Sequence, residues 1–495
     1  MDNLRLRQLL RYSLGFEVTM RTFLRSLAVV IAFTLTIGVL YAVDWSRFRG
    51  PNGAGVANDT NLPVEFGPDK NVVWKTEIPR GHSSPVFGDD AIFLTAWEGK
   101  SVFTFSLDRE TGRIQWRREI VREREGELHE SNGPTSPSAT TDGRNVYVFF
   151  QDVGLLSYGP DGNERWRIPL GPFNNPMGMG ASPILAEGKI ILICDSESDS
   201  FMIAVDKDSG KMLWRNERDF VTRGFSTPVL YDPKDGSGLE AIVPGSYELI
   251  AYKVASGEKS WWVRGLTWQL KPTPVMDEDT IYLLNWAGRA DLGQQEDVIP
   301  FEEALKLYDK DGDGQFSQEE APDPAMRKTW NNYDLDLNGF MGARDWHHYR
   351  NKRASVNAMN AIRLGGKGDM TEGAFRWRHY KTLPNVPSPL LYDGIVYLVK
   401  DGGIVTALDK KTGEVLKQAR LMEALDRYFS APVAADGKIY MLSEAGKVSV
   451  LKSGPDWEVI QTNDMGAAAY ATPAIVDNKI YLRTDWGLYC LAKLD

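Results

Sequence analysis

A small residue followed by proline recurs eight times in this chain, and so regular a period leaves few folds open. The copies are Ser84-Pro85, Ser136-Pro137, Ser182-Pro183, Thr227-Pro228, Thr273-Pro274, Ser388-Pro389, Ala431-Pro432 and Thr472-Pro473. Six of the seven gaps fall between 41 and 52 residues and the seventh is 115. After the proline comes a short apolar run, then a turn such as Asp142-Gly143 or Asp436-Gly437, then a second run such as Val146-Tyr147-Val148. Proline suits the first residue of a strand, where no ladder donor is lost, and Asp-Gly suits a hairpin. Four short strands per period of about 45 residues make a propeller blade. The spacing therefore predicts an all-β, eight-bladed β-propeller of four-stranded blades, with something inserted in blade 5.

The turn between the third and fourth strands has its own signature. Its fullest copy is Ala204, Asp206, Ser209-Gly210 and Trp214; others are Leu107-Asp108, Thr111-Gly112, Trp116, then Ala251, Ser256-Gly257, Trp261, then Ala407, Asp409, Thr412-Gly413. Glycine permits a positive φ, and the Asp and Thr side chains can bond back to the turn. The Trp is expected to wedge against the neighbouring blade. These copies resemble the quinoprotein-type propeller repeat, named for dehydrogenases that use pyrroloquinoline quinone (PQQ) and shared with the propeller of the bacterial outer-membrane assembly factor. The resemblance covers about residues 72–495 outside the insert. It implies the fold, and two function classes with it: PQQ-dependent oxidation of an alcohol or sugar, and envelope protein assembly. The eighth copy ends without a fourth strand, while Val72–Thr76 is an orphan strand with a Trp at position 74. Residues 72–78 are expected to complete the last blade.

The domain plan is a signal peptide over 1–42, a leading segment over 43–71, propeller over 72–287, an insert over 288–356, and propeller again over 357–495. Arg21 and Arg25 precede an apolar run from Leu27 to Leu40, followed by Ala42. That pattern reads as a secretory signal, with Met20 a natural start. The chain is thus expected to be exported, periplasmic or secreted, with no membrane span after cleavage; an uncleaved N-terminal anchor is the alternative. The net charge of −10 argues against nucleic acid as a partner. The two cysteines, Cys194 and Cys490, are too few and too far apart for a disulfide framework and read as buried thiols.

Within the long gap the period-2 pattern stops. Phe301–Tyr308 reads as a helix with Phe301, Leu305 and Tyr308 on one face. Asp309, Asp311, Asp313, Gly314, Gln315, Phe316, Ser317 and Glu320 then match an EF-hand loop. Asp309, Asp311, Asp313 and Glu320 offer carboxylates and Gln315 its backbone carbonyl, which suits Ca²⁺, a cation needing six to eight oxygens. A second loop carries Asp334, Asp336, Asn338, the Phe340 carbonyl and Asp345. Its twelfth position is Asp, a shorter carboxylate than Glu, so weaker binding or a purely structural pairing is expected. Asp323-Pro324 makes a helix start between the two loops. His347 and His348 fall on the exit helix, one at the surface and one in the core.

The function expected from these readings is a calcium-holding binding or scaffold protein whose partner is a protein or a small molecule; the alternatives are a PQQ oxidoreductase and an envelope assembly factor. His129 and Asn132, before the second copy, are the ligand-binding candidates. They and the segment Asn175–Gly180 before the third copy should face the propeller axis. Trp45–Gly53 is expected to pack on the outside of the propeller, and Arg117–Glu127 to form a solvated loop.

Overall fold

The computed structural model describes residues 45–494, so the expected signal peptide over 1–42 lies outside the described residues. The chain forms eight antiparallel sheets in a ring. Blade 1 is Val86–Phe87, Ala91–Glu98, Ser101–Asp108 and Ile114–Val121, from the axis outward, and the other blades repeat that plan. Second and third strands are buried on both faces, as strands between two neighbouring blades must be. The outermost strand alternates instead. Arg117 to Val121 therefore belong to a strand rather than a solvated loop, and Arg122 is buried in an ion pair with Asp152 at 2.9 Å. The charges mark a half-wet edge strand, not the absence of structure.

Val72–Glu77 pairs antiparallel with Gly487–Leu491, with Trp74 opposite Cys490, so residues from the two ends of the described chain share blade 8. Closing a ring this way removes its free edges. Cys194 and Cys490 are both free and buried.

The hydroxyls of the Ser/Thr-Pro repeat have a role the proline alone does not explain. The backbone N–H of Ser84 donates to Ser138 Oγ (2.9 Å), Ser138 to Ser182 Oγ (3.0 Å), and Ser182 to Thr227 Oγ1 (3.0 Å). Thr273 donates to Ser388 and Ala431 to Thr472 in the same way. Five of the eight blade junctions are bonded this way around the axis. Blade 2 corrects the sequence register. Its ring member is Ser138, followed by Ala139, and Ser136-Pro137 lies two residues early. There the register is marked by the Ser138 hydroxyl and not by the Ser-Pro dipeptide.

The tryptophans join blades at the rim. Trp116, Trp166, Trp214 and Trp377 lie over Gly162, Gly210, Gly257 and Gly413 of the following blade, where a Cβ would come within 2.6–2.7 Å of the ring. Their Nε1 groups donate to backbone carbonyls of that blade at 2.9–3.1 Å. Asp108, Asp206 and Asp409 accept from Thr111, Ser209 and Thr412 inside the turns. Trp261 differs: its Nε1 donates to Glu240, and Gly368–Asp369 adds a fifth, parallel strand beside it.

The leading segment does not pack outside the ring. Phe87 N–H donates to Trp45 O and Thr141 N–H to Ser46 O. Arg47 bonds Pro228 O, Asn52 bonds Leu230, Arg49 bonds Pro389 O, and Val56 bridges Ala434. Those partners sit on or beside the innermost strands of blades 1, 2, 4, 6 and 7, and a single short segment can reach all of them only along their common axis. It leaves past Asn478 and Asp436, crosses Tyr440 and Asn463, and becomes the outer strand of blade 8. A Trp, two Arg and two Gly within nine residues fill a narrow channel better than they cover a surface.

Candidate axial funnel and acidic loops

One end of the ring carries the short turns between first and second and between third and fourth strands. The leading segment enters there. The other end carries the loops that run from each outer strand to the next inner strand, and it is open. The residue two places before each ring member is half-buried in all eight blades: His82, Ser136, Gly180, Phe225, Lys271, Val386, Phe429 and Tyr470. The residue after each is buried in every blade. These eight positions form the floor of a funnel. His82 stacks on Tyr470 at 4.5 Å, and Tyr470 lies 5.4 Å from Phe429. A Cβ on Gly180 would meet Phe225 at 3.4 Å. Four of the eight positions thus carry aromatic rings, His82, Phe225, Phe429 and Tyr470, and Lys271 is the one cation. Burial pushes the Lys271 ammonium down to about 8, and Asn385 Oδ1 accepts from it at 2.9 Å. Burial, with Arg483 and Arg80 nearby, pushes His82 down to about 3, so its ring is neutral. The floor has a fixed place in the repeat. It is the repeat read two places upstream, once the hydroxyl ring sets the register.

The two loops singled out in the sequence are tied to each other. Asn132 Nδ2 donates to Met177 O at 2.6 Å, and its Oδ1 accepts from Gly133 N–H and Ser136 Oγ. Asn132 therefore fixes the loop. His129 is exposed, its Nδ1 accepting from Ser131 N–H at 3.2 Å. Arg427, three blades away round the ring, has its pKa raised mainly by Glu444, with Glu130 of this loop adding the smallest contribution.

The insert joins Thr280–Asn285 to Ala358–Arg363, the second and third strands of blade 5, and so lies at the funnel end. Its helices are α1 (Phe301–Tyr308), α2 (Pro324–Lys328) and α3 (Ala343–Ala354). Asp323 caps α2 by accepting from Ala325 N–H. Phe316–Ser317 pairs with Phe340–Met341, and Phe316, Met326, Trp330, Met341 and Trp346 form a small core.

The two acidic loops have matching backbones. Positions four and six have positive φ in both: Gly312 and Gly314 in the first, Leu337 and Gly339 in the second. Asp309 accepts from Gly312 and Gly314 N–H, and Asp334 from Asn338 and Gly339 N–H. Glu320 accepts from Lys310 and Ser317 N–H at 2.7 and 2.9 Å. Asp345 accepts from Leu335 and Gly342 N–H at 3.1 and 3.0 Å. Carboxylate oxygens of Asp309, Asp311 and Asp313 lie within 4.8 Å of one another. Asn338 Oδ1 accepts from Phe340 N–H, as Asp313 does from Gln315 N–H. The donor set is all oxygen and mostly anionic, which fits a hard divalent cation. Their surroundings differ. Backbone and hydroxyl donors from Ser317 and Lys310 hold Glu320 down at about 2, whereas burial pushes Asp334 and Asp345 up.

That burial comes partly from the propeller. Asn174 Nδ2 donates to Leu335 O (2.9 Å), and Arg344 Nε to Asp219 O (2.6 Å). His348 is buried between Tyr247, whose Oη lies 2.9 Å from Nδ1, and Trp268; His347 is exposed beside Phe220. Lys352 Nζ sits 3.9 Å over the Trp268 ring. Below lie two buried ion pairs, Arg218 with both oxygens of Asp195 and Arg223 with Glu197.

The family profile described as outer membrane protein assembly factor BamB matches residues 56–197, 105–298 and 367–493, stepping over most of the insert. The outer membrane protein assembly factor BamB of Francisella tularensis is 25% identical over 118 residues, 24% of this chain and 23% of that protein. The match thus spans less than a quarter of that relative's length. Among solved structures, BamB from Moraxella catarrhalis has 15% identity and a TM-score of 0.53, covering 85% of this chain and 96% of that one. The quinohemoprotein alcohol dehydrogenase from Comamonas testosteroni has 11% identity and a TM-score of 0.59, covering 93% and 82%. At these identities the structures establish the shared propeller.

Proposed function

Because the chain belongs to the family of the outer membrane protein assembly factor BamB, we propose that it is an exported binding scaffold that works on the envelope side of the cell and receives its partner in the axial funnel. The observation that carries this reading is the floor of eight half-buried positions, four of them aromatic, at the end of the axis that the leading segment does not fill. Aromatic floors suit apolar side chains of an extended polypeptide, and the loop around His129 and Asn132 adds polar contacts at the rim. No helix among the described residues is long and apolar enough to cross a membrane.

The insert is an EF-hand pair in this reading, holding Ca²⁺ at the funnel rim. Asp309, Asp311, Asp313, the Gln315 carbonyl and Glu320 form the first site. Asp334, Asp336, Asn338, the Phe340 carbonyl and Asp345 form a second, weaker one. The matched loop backbones support the assignment. A structural rather than sensing role is favoured by the core, which offers only Met326 and Met341 where opening sensors expose a Met-rich groove.

A second reading, a PQQ oxidoreductase, draws support from Lys271 and Arg223 beside aromatic rings, a combination that would hold a planar polyanion. Two experiments separate the readings. A photo-crosslinking amino acid at position 429 should give a protein adduct in cells, and no adduct would count against the scaffold. Titration with PQQ, with and without Ca²⁺, should leave the quinone spectrum unchanged. Saturable binding with dye-linked oxidation of an alcohol or sugar would replace the scaffold with an enzyme.

A further inference from the structure

The axial plug brings two guanidinium groups to the centre of the ring with nothing anionic to meet them. Arg47 and Arg49 are 6% and 0% exposed. Arg47 spends one N–H on Pro228 O; Arg49 uses Nη2 for Pro389 O (2.9 Å) and Ala54 O (3.4 Å). Nε and Nη1 of both are buried without a partner, as is Trp45 Nε1. Among the described residues no carboxylate pairs with either arginine. Burial, the one cause acting on them, lowers Arg47 to about 10 and Arg49 to about 9.

A buried cation facing only carbonyl oxygens is costly, and buried donors are almost always satisfied by protein, water or an ion. Two neighbours on one segment sharing this condition call for negative charge in the channel. Pro228 and Pro389 directly follow the hydroxyl ring, so the free N–H groups lie just beneath the funnel floor, on the side that the plug closes. We propose that the axial channel is a binding site for a small inorganic anion, held by the free N–H groups of Arg47 and Arg49. It offsets part of the plug's positive charge and helps lock the leading segment into the ring.

The probe is bromide. Crystals of the mature chain grown or soaked in bromide should show an anomalous peak in hydrogen-bond contact with Arg47 or Arg49. In parallel, replacing gluconate by chloride at constant ionic strength should raise the melting temperature saturably, by about 3 °C or more. That rise should be lost in Arg47→Met and Arg49→Met. An axial channel with only water in the bromide map, together with melting indifferent to the anion, would overturn the proposal. Should the variants not fold, the bromide map of the unaltered chain decides alone.

Discussion

The leading segment and the inserted helices both add to the same ring, yet they meet it differently. The leading segment bonds inner strands of blades 1, 2, 4, 6 and 7 and is buried along most of its first turn. The insert rests on the rims of blades 3, 4 and 5 through one face of α3 and the second acidic loop. It also has its own core. A segment that shares the core of every neighbour folds or fails with them. One with a separate core and a small contact can loosen alone. The difference predicts opposite consequences for stability.

The largest effect should come from the plug. Trp45 is fully buried and lies on Gly50, where a Cβ would be 2.6 Å from its ring. Trp45→Ala should cost about 3–5 kcal/mol, measured by urea unfolding of the mature chain. A loss below about 1 kcal/mol would mean that the segment is a removable strap, and the contrast with the insert would fall.

What the sequence showed and hid follows the same division. The blade count, the rim Trp wedges and the acidic loops were legible because each is a local pattern with a fixed spacing. The path of Trp45–Gly53 was not, since a channel is made by eight distant strands and no local pattern records it. Ser136-Pro137 misled for a related reason: the dipeptide was visible, but the hydroxyl that bonds blade 1 belongs to Ser138. The funnel floor escaped until that register was known. His82, Lys271 and Tyr470 share no chemistry, only a position relative to the ring.

Calcium should sharpen the comparison next. Glu320 is in the first loop, away from the propeller contacts. Glu320→Gln should weaken the first site by at least about tenfold in isothermal titration, the worth of one charge-assisted contact, while leaving propeller melting unchanged. Asp345→Glu should strengthen the second site. Because Leu335 and Arg344 tie that loop to Asn174 and Asp219, its filling should also slow hydrogen exchange in α3. Equal effects of the two loops on exchange in α3 would show that the second is not the one anchored.

Removing the dock should come third. Tyr247 Oη lies 2.9 Å from His348 Nδ1 and donates to His348 O at 3.1 Å. Tyr247→Phe leaves His348 Nδ1 buried and without its partner, for about 1–3 kcal/mol. The loss should show as faster exchange in α3 and not as lower propeller stability. Acid should act the same way. Burial, with Lys352, Arg223, Arg344 and His347 around it, keeps the His348 pKa well below 6.5, so the docked ring is neutral. Released, it binds a proton more readily, and docking is therefore stable above the free value and weakens as pH falls below about 6.5. Protection of α3, taken relative to the intrinsic exchange rate at each pH, that is flat from pH 7.5 to about 5 would remove His348 from the docking account.

Excising the insert should have the smallest effect of all. Asn285 and Ala358 are paired across adjacent antiparallel strands, so a short turn can join them without moving either. The excision exposes Trp268 and Tyr247 on the rim and leaves the ion pairs of Arg218 and Arg223 in place. Lost contacts at the rim are offset by a shorter loop between two paired strands, since closing a long excursion costs entropy. The propeller should therefore melt within about 1 kcal/mol of the full chain, against several for Trp45→Ala. If excision instead unfolds the ring, blade 5 depends on the insert to order its second and third strands, and the two additions would be equally part of one core.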